Sequence, residues 1–577
     1  MTMTPDSPPP SIAAQRDELN RVIALHYAQI SILKAQVNAL SAISALPNEL
    51  IAKIFRFYAF LDRPPFDLKW TKVMLVCRRW HDIAVAEQWL WSFVKESLSS
   101  YSFKSMQQIL TQLDRSGDAP LTIDVTSINA DFHPPTLLQH AERIRDLEIS
   151  GEAMYAIRLA HSLSSYQLPL LRSVKLDSTY KWDAIPEDSP NALPDALFDG
   201  RAPGLIKLDL RQAPLNWSLL RGLTELSLES SSDTVEPALS ILNVLEASPA
   251  LTCLKLNLVL ASGMFSVPRL AVTLPLLEFV WIRDSVELCT ELLRHLVIPP
   301  STRLAVYGLG IETGRDIGEL LVLVRRHIRQ AASPAIRCLQ LESNATMTPS
   351  RGHLLISALT ATTLPDPVSD DEKALFMVNT HPQTSNALRQ IVNKVLKTLP
   401  YTAITHLDTS GATNFSVASW KAAFALLPAL EMIYAFGGKG MGVVSMFDAL
   451  TALTQNPKPS PSAPSHDGFL PQLRHIHLRA YVWRERESQE DPIAGLWDAL
   501  ERLVDARVSA GSKLAVLEIH ERGQGLSLSD EQLQVLFDRV GKLVRDGHVY
   551  DPVVFRKRRE EWSRKMEAIR AQMDALQ

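Results

Sequence analysis

Along much of the chain, apolar residues alternate with polar ones in short runs of the form L-x-x-L-x-L. Between about residues 141 and 525 they read "RIRDLEIS", "LPLLRSVKLDS", "APGLIKLDLRQ", "LTELSLES", "LTCLKLNLVL", "LPLLEFVWIRD", "IRCLQLES", "LPALEMIYAF", "LPQLRHIHLRA" and "LAVLEIHER". Apolar side chains at every second position suit a strand with one buried face. A leading "LP-x-L" introduces several of these strands, and segments such as "DTVEPALSILNVLEAS" and "VELCTELLRHLVI" carry apolar residues at helical spacing between them.

The last apolar strand positions, Ile149, Leu176, Leu210, Leu228, Leu256 and Ile282, lie 27, 34, 18, 28 and 26 residues apart. Leucine-rich repeats run about 20–29 residues per unit. The pattern therefore predicts an α/β chain whose region 141–525 is an irregular leucine-rich-repeat-like solenoid, with a generic α/β domain as the alternative. After Ile282 the spacing loosens, and loop inserts are expected at about 181–204, 360–372 and 455–468, the last being rich in proline and serine.

The other segments have different textures. Residues 1–10 are rich in Pro, Ser and Thr and are expected to be a disordered tail. Residues 11–43 predict one long helix. Ile12, Leu19, His26, Leu33 and Leu40 fall on one heptad seam position and Ile23, Ile30 and Val37 on the other. The short register and the interruption at His26 favour a helix lying on the next domain over a short coiled coil. Linking helices are expected over 95–140 and charged helices over 526–577, where "RKRR" at 556–559 is neutralised by Glu560 and Glu561.

Residues 44–94 hold two amphipathic stretches. In "SALPNELIAKIF", Leu46, Leu50, Ile54 and Leu61, with Ile51, Phe55 and Tyr58, form a wide apolar stripe. Pro47 fits a first helical turn, and Glu49 complements the positive end of the helix dipole. In "VMLVCRRWHDIAVAEQWLW", the residues Val73, Val76, Trp80 and Ile83 or Ala84 fall on one face, closed by Leu90 and Trp91. Three short helices of this size bury one another only in part, so the bundle calls for a partner surface.

These residues carry a family resemblance. "LPNELIAKIF", then "LVCRRWHDIA", then "LW" resembles an F-box, in the form found in large fungal (basidiomycete-like) families with irregular leucine-rich C-terminal regions. The matching positions are Leu46, Pro47, Glu49, Leu50, Ile51, Ile54, Phe55, Val76, Cys77, Arg78, Trp80, Leu90 and Trp91. The resemblance implies that Leu46, Pro47, Leu50, Ile51 and Ile54 meet a Skp-type adaptor held by a cullin scaffold. It implies a core of Phe55, Val76, Cys77, Trp80, Ile83, Leu90 and Trp91. The connection "YAFLDRPPFDLKWTK" departs from the family in being longer and richer in proline.

Composition narrows the classes further. The 577 residues carry a net charge of −4 and are 46% hydrophobic, giving no electrostatic pull toward nucleic acid or an anionic membrane. No run of about 18 apolar residues predicts a membrane span, and the first residues lack the basic and apolar regions of a signal peptide. Cys77, Cys253, Cys289 and Cys338 are scattered and form no CxxC, which suits a reducing cytoplasmic or nuclear compartment.

No catalytic arrangement emerges. "FGGKGMGV" lacks the spacing of a phosphate loop, and Asp370 and Asp371 fall in an expected loop. His475 and His477 share one strand face, but no third metal ligand is evident in sequence, so neither a metal nor a cofactor is expected. The reading is a non-catalytic substrate receptor of an SCF-type ubiquitin ligase, with an unrelated scaffold, or less readily an enzyme, as the alternative. A protein target is expected on outward strand positions, with Lys207, Asp209, Glu225, Lys255, His475 and His477 as candidates on a mixed-charge polar face.

Overall fold

The computed structural model describes residues 11–554, 557 and 564–566, apart from 62–64, 98–102, 129–134, 179–192, 196–200, 213–215, 230–237, 259–270, 310–316, 345–352, 361–373, 381–384, 413–414, 438–441, 456–469, 482–493, 523–527, 529 and 555–556. The tail 1–10, most of the three inserts, Asp370 and Asp371, and most of the 556–559 run lie outside the described residues. The chain divides into two compact units, residues 1–219 and 220–577.

The first unit begins with α1 (Ile12–Ala39), α2 (Asn48–Ala59), α3 (Arg78–Ala86) and α4 (Gln88–Trp91). It continues through β1 (Phe93–Ser97), α5 (Phe103–Arg115), β2 (Leu121–Ile128), α6 (Pro135–Leu138), β3 (Ile144–Gly151), α7 (Ala153–Leu163), β4 (Ser173–Ser178) and β5 (Lys207–Arg211). The five strands form a parallel ladder in chain order. Leu147, Val174 and Leu208 are register partners, as are Ile149, Leu176 and Leu210, and all six are buried. The ladder thus starts before residue 141. β1 and β2 run through the stretch expected to hold linking helices, although "LTIDVTSI" has a strand's alternation and β-branched content.

α1 also departs from expectation. It spans 28 residues with none buried, so it does not lie on the next domain.

The second unit holds β6 (Glu225–Glu229), α8 (Ala238–Glu246), β7 (Cys253–Asn257), β8 (Val272–Thr273), β9 (Phe279–Ser285), α9 (Val286–Arg294), β10 (Leu296–Val297), β11 (Arg303–Leu309) and α10 (Gly318–Ile328). Then follow β12 (Cys338–Asn344), β13 (His353–Leu359), β14 (Ala374–Thr380), α11 (Ser385–Thr398), β15 (His406–Ala412), α12 (Val417–Phe424), β16 (Met432–Gly437) and α13 (Gly442–Gln455). β17 (His475–Tyr481), α14 (Ala494–Ser509), β18 (Val516–Arg522), α15 (Asp530–Arg539), β19 (Lys542–Arg545) and β20 (His548–Val549) close the unit. The last two are strands where only helices were expected.

Most of this unit stacks as strand–helix repeats: β6, β7, β9 and β11 pair in parallel, as do β15 through β19. Between these runs the order is permuted. β14 pairs with β11 in parallel, β13 lies antiparallel between β14 and β12, and β12 pairs with β15 in parallel. The helices α9 to α15 nevertheless pack successively in chain order. From β11 to β15 the sheet advances four steps of about 4.8 Å, against two helix steps of about 10 Å from α10 to α12, so the layers keep pace locally.

The "LP-x-L" phrases are turns that aim two leucines inward. In each, the second leucine's N–H donates to the first leucine's carbonyl: Leu171 to Leu168, Leu277 to Leu274, Leu430 to Leu427 and Leu473 to Leu470, at 3.1–3.3 Å. Proline at the second position supplies the φ such a turn needs, and all eight leucines are buried. The mixed helix-and-strand architecture is leucine-rich-repeat-like, with N-terminal helices ahead of the repeat region. Among the described residues, no helix is long and apolar enough to cross a membrane.

Candidate partner-binding site

The module formed by α2, α3 and α4 has its own core. Ile51, Phe55, Trp70, Val73, Ala84, Leu90 and Trp91 are buried together, with Leu46, Trp80 and Ile83 packed against them. Phe55 meets Trp80 edge-on at 5.1 Å, and Trp70 meets Trp91 edge-on at 4.9 Å. The Trp91 indole N–H donates to the carbonyl of Ala84 at 2.9 Å, which satisfies its polar edge inside the core.

The family resemblance and the sequence periodicity place several of these residues differently. Ile51, expected at the adaptor face, is fully buried and packs the interior. Val76, expected in the core, is 56% exposed. The second stretch is not one continuous helix: residues Lys69–Leu75 form a 3-10 helix, Cys77 is extended at φ −160° and ψ 167°, and α3 starts only at Arg78. This break turns Val76 outward and leaves Cys77 half-buried. Trp70, in the unusually long connection, is a core residue that the pattern misses. Its lone position in a proline-rich stretch gives no periodic signal.

Arg79 is also missed. Its guanidinium donates to the carbonyls of Ser44 and Leu46, each at 2.6 Å, and to Asn48 Oδ1 at 2.9 and 2.8 Å. One side chain thereby ties the residues flanking Pro47 to α3. Arg56 Nη2 adds an ion pair to Glu87 Oε1 at 2.7 Å.

With its inner face committed, α2 keeps a second apolar face outside. Leu50 and Ile54 are 44% and 41% exposed, and Phe57 and Leu61 more so. Their spacing of four, three and four residues makes one continuous stripe. Pro47 is exposed at its start, with Leu46 half-buried. This arrangement can dock an apolar partner surface.

The outward strand face is less uniform than predicted. In the first unit, Lys207 is exposed and Asp209 half-buried on β5. In the second unit, Glu225 on β6 is the register partner of Cys253 on β7, and Ser227 of Lys255. From β7 onward, Cys253, Trp281, Tyr307, Cys338 and Met377 join an apolar cluster with Phe279. Lys255 Nζ sits 5.6 Å from the Phe279 ring. Within the second unit the face is therefore polar at β6 and aromatic from β9 to β11.

His475 and His477 lie far along the same ladder, beside Glu518 and His520 of β18. Burial, opposed by the Glu518 carboxylate, pushes the His477 imidazole down to about 4 and lowers His475 as well. Burial alone would raise the Glu518 carboxyl, but the hydrogen bond from His520 and the surrounding imidazoles bring it below its ordinary value.

Residues 43–96 match the F-box-like family model. That segment contains the buried core, the Arg79 clamp and the exposed stripe. Comparison with curated proteins gives no match. Among solved structures, the leucine-rich repeat-containing protein LegL7 from Legionella pneumophila is similar at 12% identity over 74% of this chain and 92% of that one, with a TM-score of 0.24. Agreement at that level carries no weight for either fold or function.

Proposed function

We propose that this chain is a non-catalytic substrate receptor of an SCF-type ubiquitin ligase. Residues 44–94 hold a Skp-type adaptor, and through it a cullin scaffold, while the strand face takes a protein target. The observation that carries the reading is the exposed Leu50–Ile54–Phe57–Leu61 stripe on a module with a complete core of its own, within the segment that matches the F-box-like model. Contiguous exposed apolar surface of this kind marks protein contact. On the target side, Trp281 and Tyr307 of the second unit offer the aromatic anchors typical of binding hot spots, with Glu225 and Lys255 at other outward positions of that unit, and Lys207 and Asp209 are candidates on the strand face of the first unit.

The receptor acts by proximity, holding a target near a charged conjugating enzyme supplied by the assembly. The cysteines fit this role. All four are free thiols, and burial pushes Cys338 up to about 12 and Cys289 higher still, which keeps both protonated rather than nucleophilic. They also suit a reducing cytoplasmic or nuclear setting.

Co-purification with a Skp adaptor tests the proposal. Wild type should retain the adaptor, and the double change Leu50→Glu, Ile54→Glu should lose it, because charges in the docking stripe stay unpaired on binding. Both positions are exposed in the free module, so its helical signal should persist. Undiminished capture by the folded double variant would overturn the assignment.

A further inference from the structure

Outward positions on β17 and β18 bring together donor atoms that are remote in sequence. His477 and Glu518 are register partners, and His520 lies two residues beyond Glu518, on the same strand face. His520 Nε2 is 2.8 Å from Glu518 Oε1, while His477 Nδ1 is 3.8 Å from Oε2. One ligand atom from each of His477, Glu518 and His520 lies within 4.8 Å of the other two. Zinc bonds of about 2.0–2.2 Å at tetrahedral angles require donors roughly 3.3–3.6 Å apart. The observed donor pairs straddle that spacing.

A second observation points to a ligand. The Nε2 atoms of His475 and His477 are buried and have no hydrogen-bond partner among the described residues. Buried polar atoms are nearly always satisfied, so two orphans in one cluster need an explanation. His475 Nε2 faces Glu518 Oε2 at 3.7 Å in an ionic contact, which leaves Nε2 of His477 as the atom that no neighbour in the cluster accounts for. The rings of Tyr434 and His520 flank His477 at 5.4 and 4.9 Å and limit its movement.

We propose that His477, Glu518 and His520 bind a single divalent transition-metal ion of the zinc class, with His475 placed behind them to orient the Glu518 carboxylate. Two imidazoles and one carboxylate form a borderline donor set suited to zinc, and three protein ligands leave a fourth position for water or for a group on a bound protein. Arg479, the next outward residue on β17, is a nearby cation whose charge opposes the ion. The pattern was readable only in part: "HIH" at 475–477 supplies one pair, and the "EIH" that completes it lies on the neighbouring strand.

The test is a competition titration of the full-length chain with zinc against a chelating indicator. One zinc should bind per chain. His477→Ala, Glu518→Gln and His520→Ala should each weaken it at least about tenfold, whereas Arg479→Ala should tighten it. His81→Ala, on α3, should leave affinity unchanged. Cobalt(II) bound to wild type should show the visible absorption bands of a low-coordinate site, and those bands should vanish in His477→Ala, His520→Ala. Absence of zinc binding by wild type would overturn the proposal. So would unchanged affinity in the double variant with wild-type circular dichroism. Should that variant fail to fold, wild type with a featureless cobalt spectrum would overturn it equally.

Discussion

Arg79 shows how much can rest on one side chain. Two of its four hydrogen bonds hold the Ser44 and Leu46 carbonyls before Pro47, and the other two hold the Asn48 side chain after it. Arg79→Ala removes a planar fork that two carbonyls and an amide oxygen share, at a cost of about 1–3 kcal/mol to the module. Lysine, a single flexible ammonium, cannot replace that fork. The expected outcome is a lower urea midpoint for the module and weaker adaptor capture in both Arg79→Ala and Arg79→Lys, with exposed Arg78→Ala behaving as wild type. Equal behaviour of all three in denaturation and pull-down would count against the clamp. Which of the two adjacent arginines turns inward was not legible from sequence. It depends on α3 starting at Arg78 after an extended Cys77, whereas periodicity alone runs one helical register from Val73 to Ala84. The same hidden break separates Phe55, whose burial was expected, from Val76, whose exposure was not.

Among the elements, legibility follows burial. Strands with one covered face, such as β4 and β6, show clean alternation and are found from it. β14 is buried on both faces along most of its length, so "ALFMVNT" has no alternation to detect, and β13 beside it fares no better. Pairing order is further from reach, since nothing in "CLQLESN" announces that its antiparallel neighbour follows it directly while its parallel one lies more than sixty residues on. α1 poses the opposite problem: its length was legible and its packing was not. Leu19, Ile23, Ile30, Leu33, Val37 and Leu40 are all exposed along one seam. With Ile23, Ile30 and Val37 at the a positions and Leu19, Leu33 and Leu40 at d, the sequence has the arrangement that favours two parallel strands. A helix without tertiary contacts is only marginally stable in water. Amide protection in α1 should therefore rise with protein concentration, and the mass measured by light scattering should move toward a dimer. Protection independent of concentration would exclude self-pairing.

For the whole molecule, acid is the revealing variable. His327 on α10 is buried, and one ring nitrogen lies 2.8 Å from the Thr302 carbonyl. Burial, only partly offset by that bond, lowers its pKa below the ordinary 6.5. His140 is lowered in the same direction by burial and by Arg143. Well above pH 6.5 these groups are neutral in both folded and unfolded chains and contribute no slope. As pH falls below 6.5, the unfolded chain takes up protons that the folded one resists, so stability must decline. The thermal midpoint should fall between pH 6.5 and 5, and less steeply in His327→Gln. An identical slope in that variant would remove His327 from the account.

The permuted strands between β11 and β15 also have a consequence in time. A regular solenoid covers each new strand edge with the strand that emerges next from the ribosome. Here the edge of β11, which ends at Leu309, waits for β14, which begins at Ala374 about 65 residues later. At 5–20 residues per second that is roughly 3–13 seconds of synthesis. During the wait β12 is the first strand available, and pairing it directly with β11 would give an ordinary repeat in the wrong place. The nascent chain must keep that edge open, or release a mistaken neighbour, before the later repeats can seat against β15.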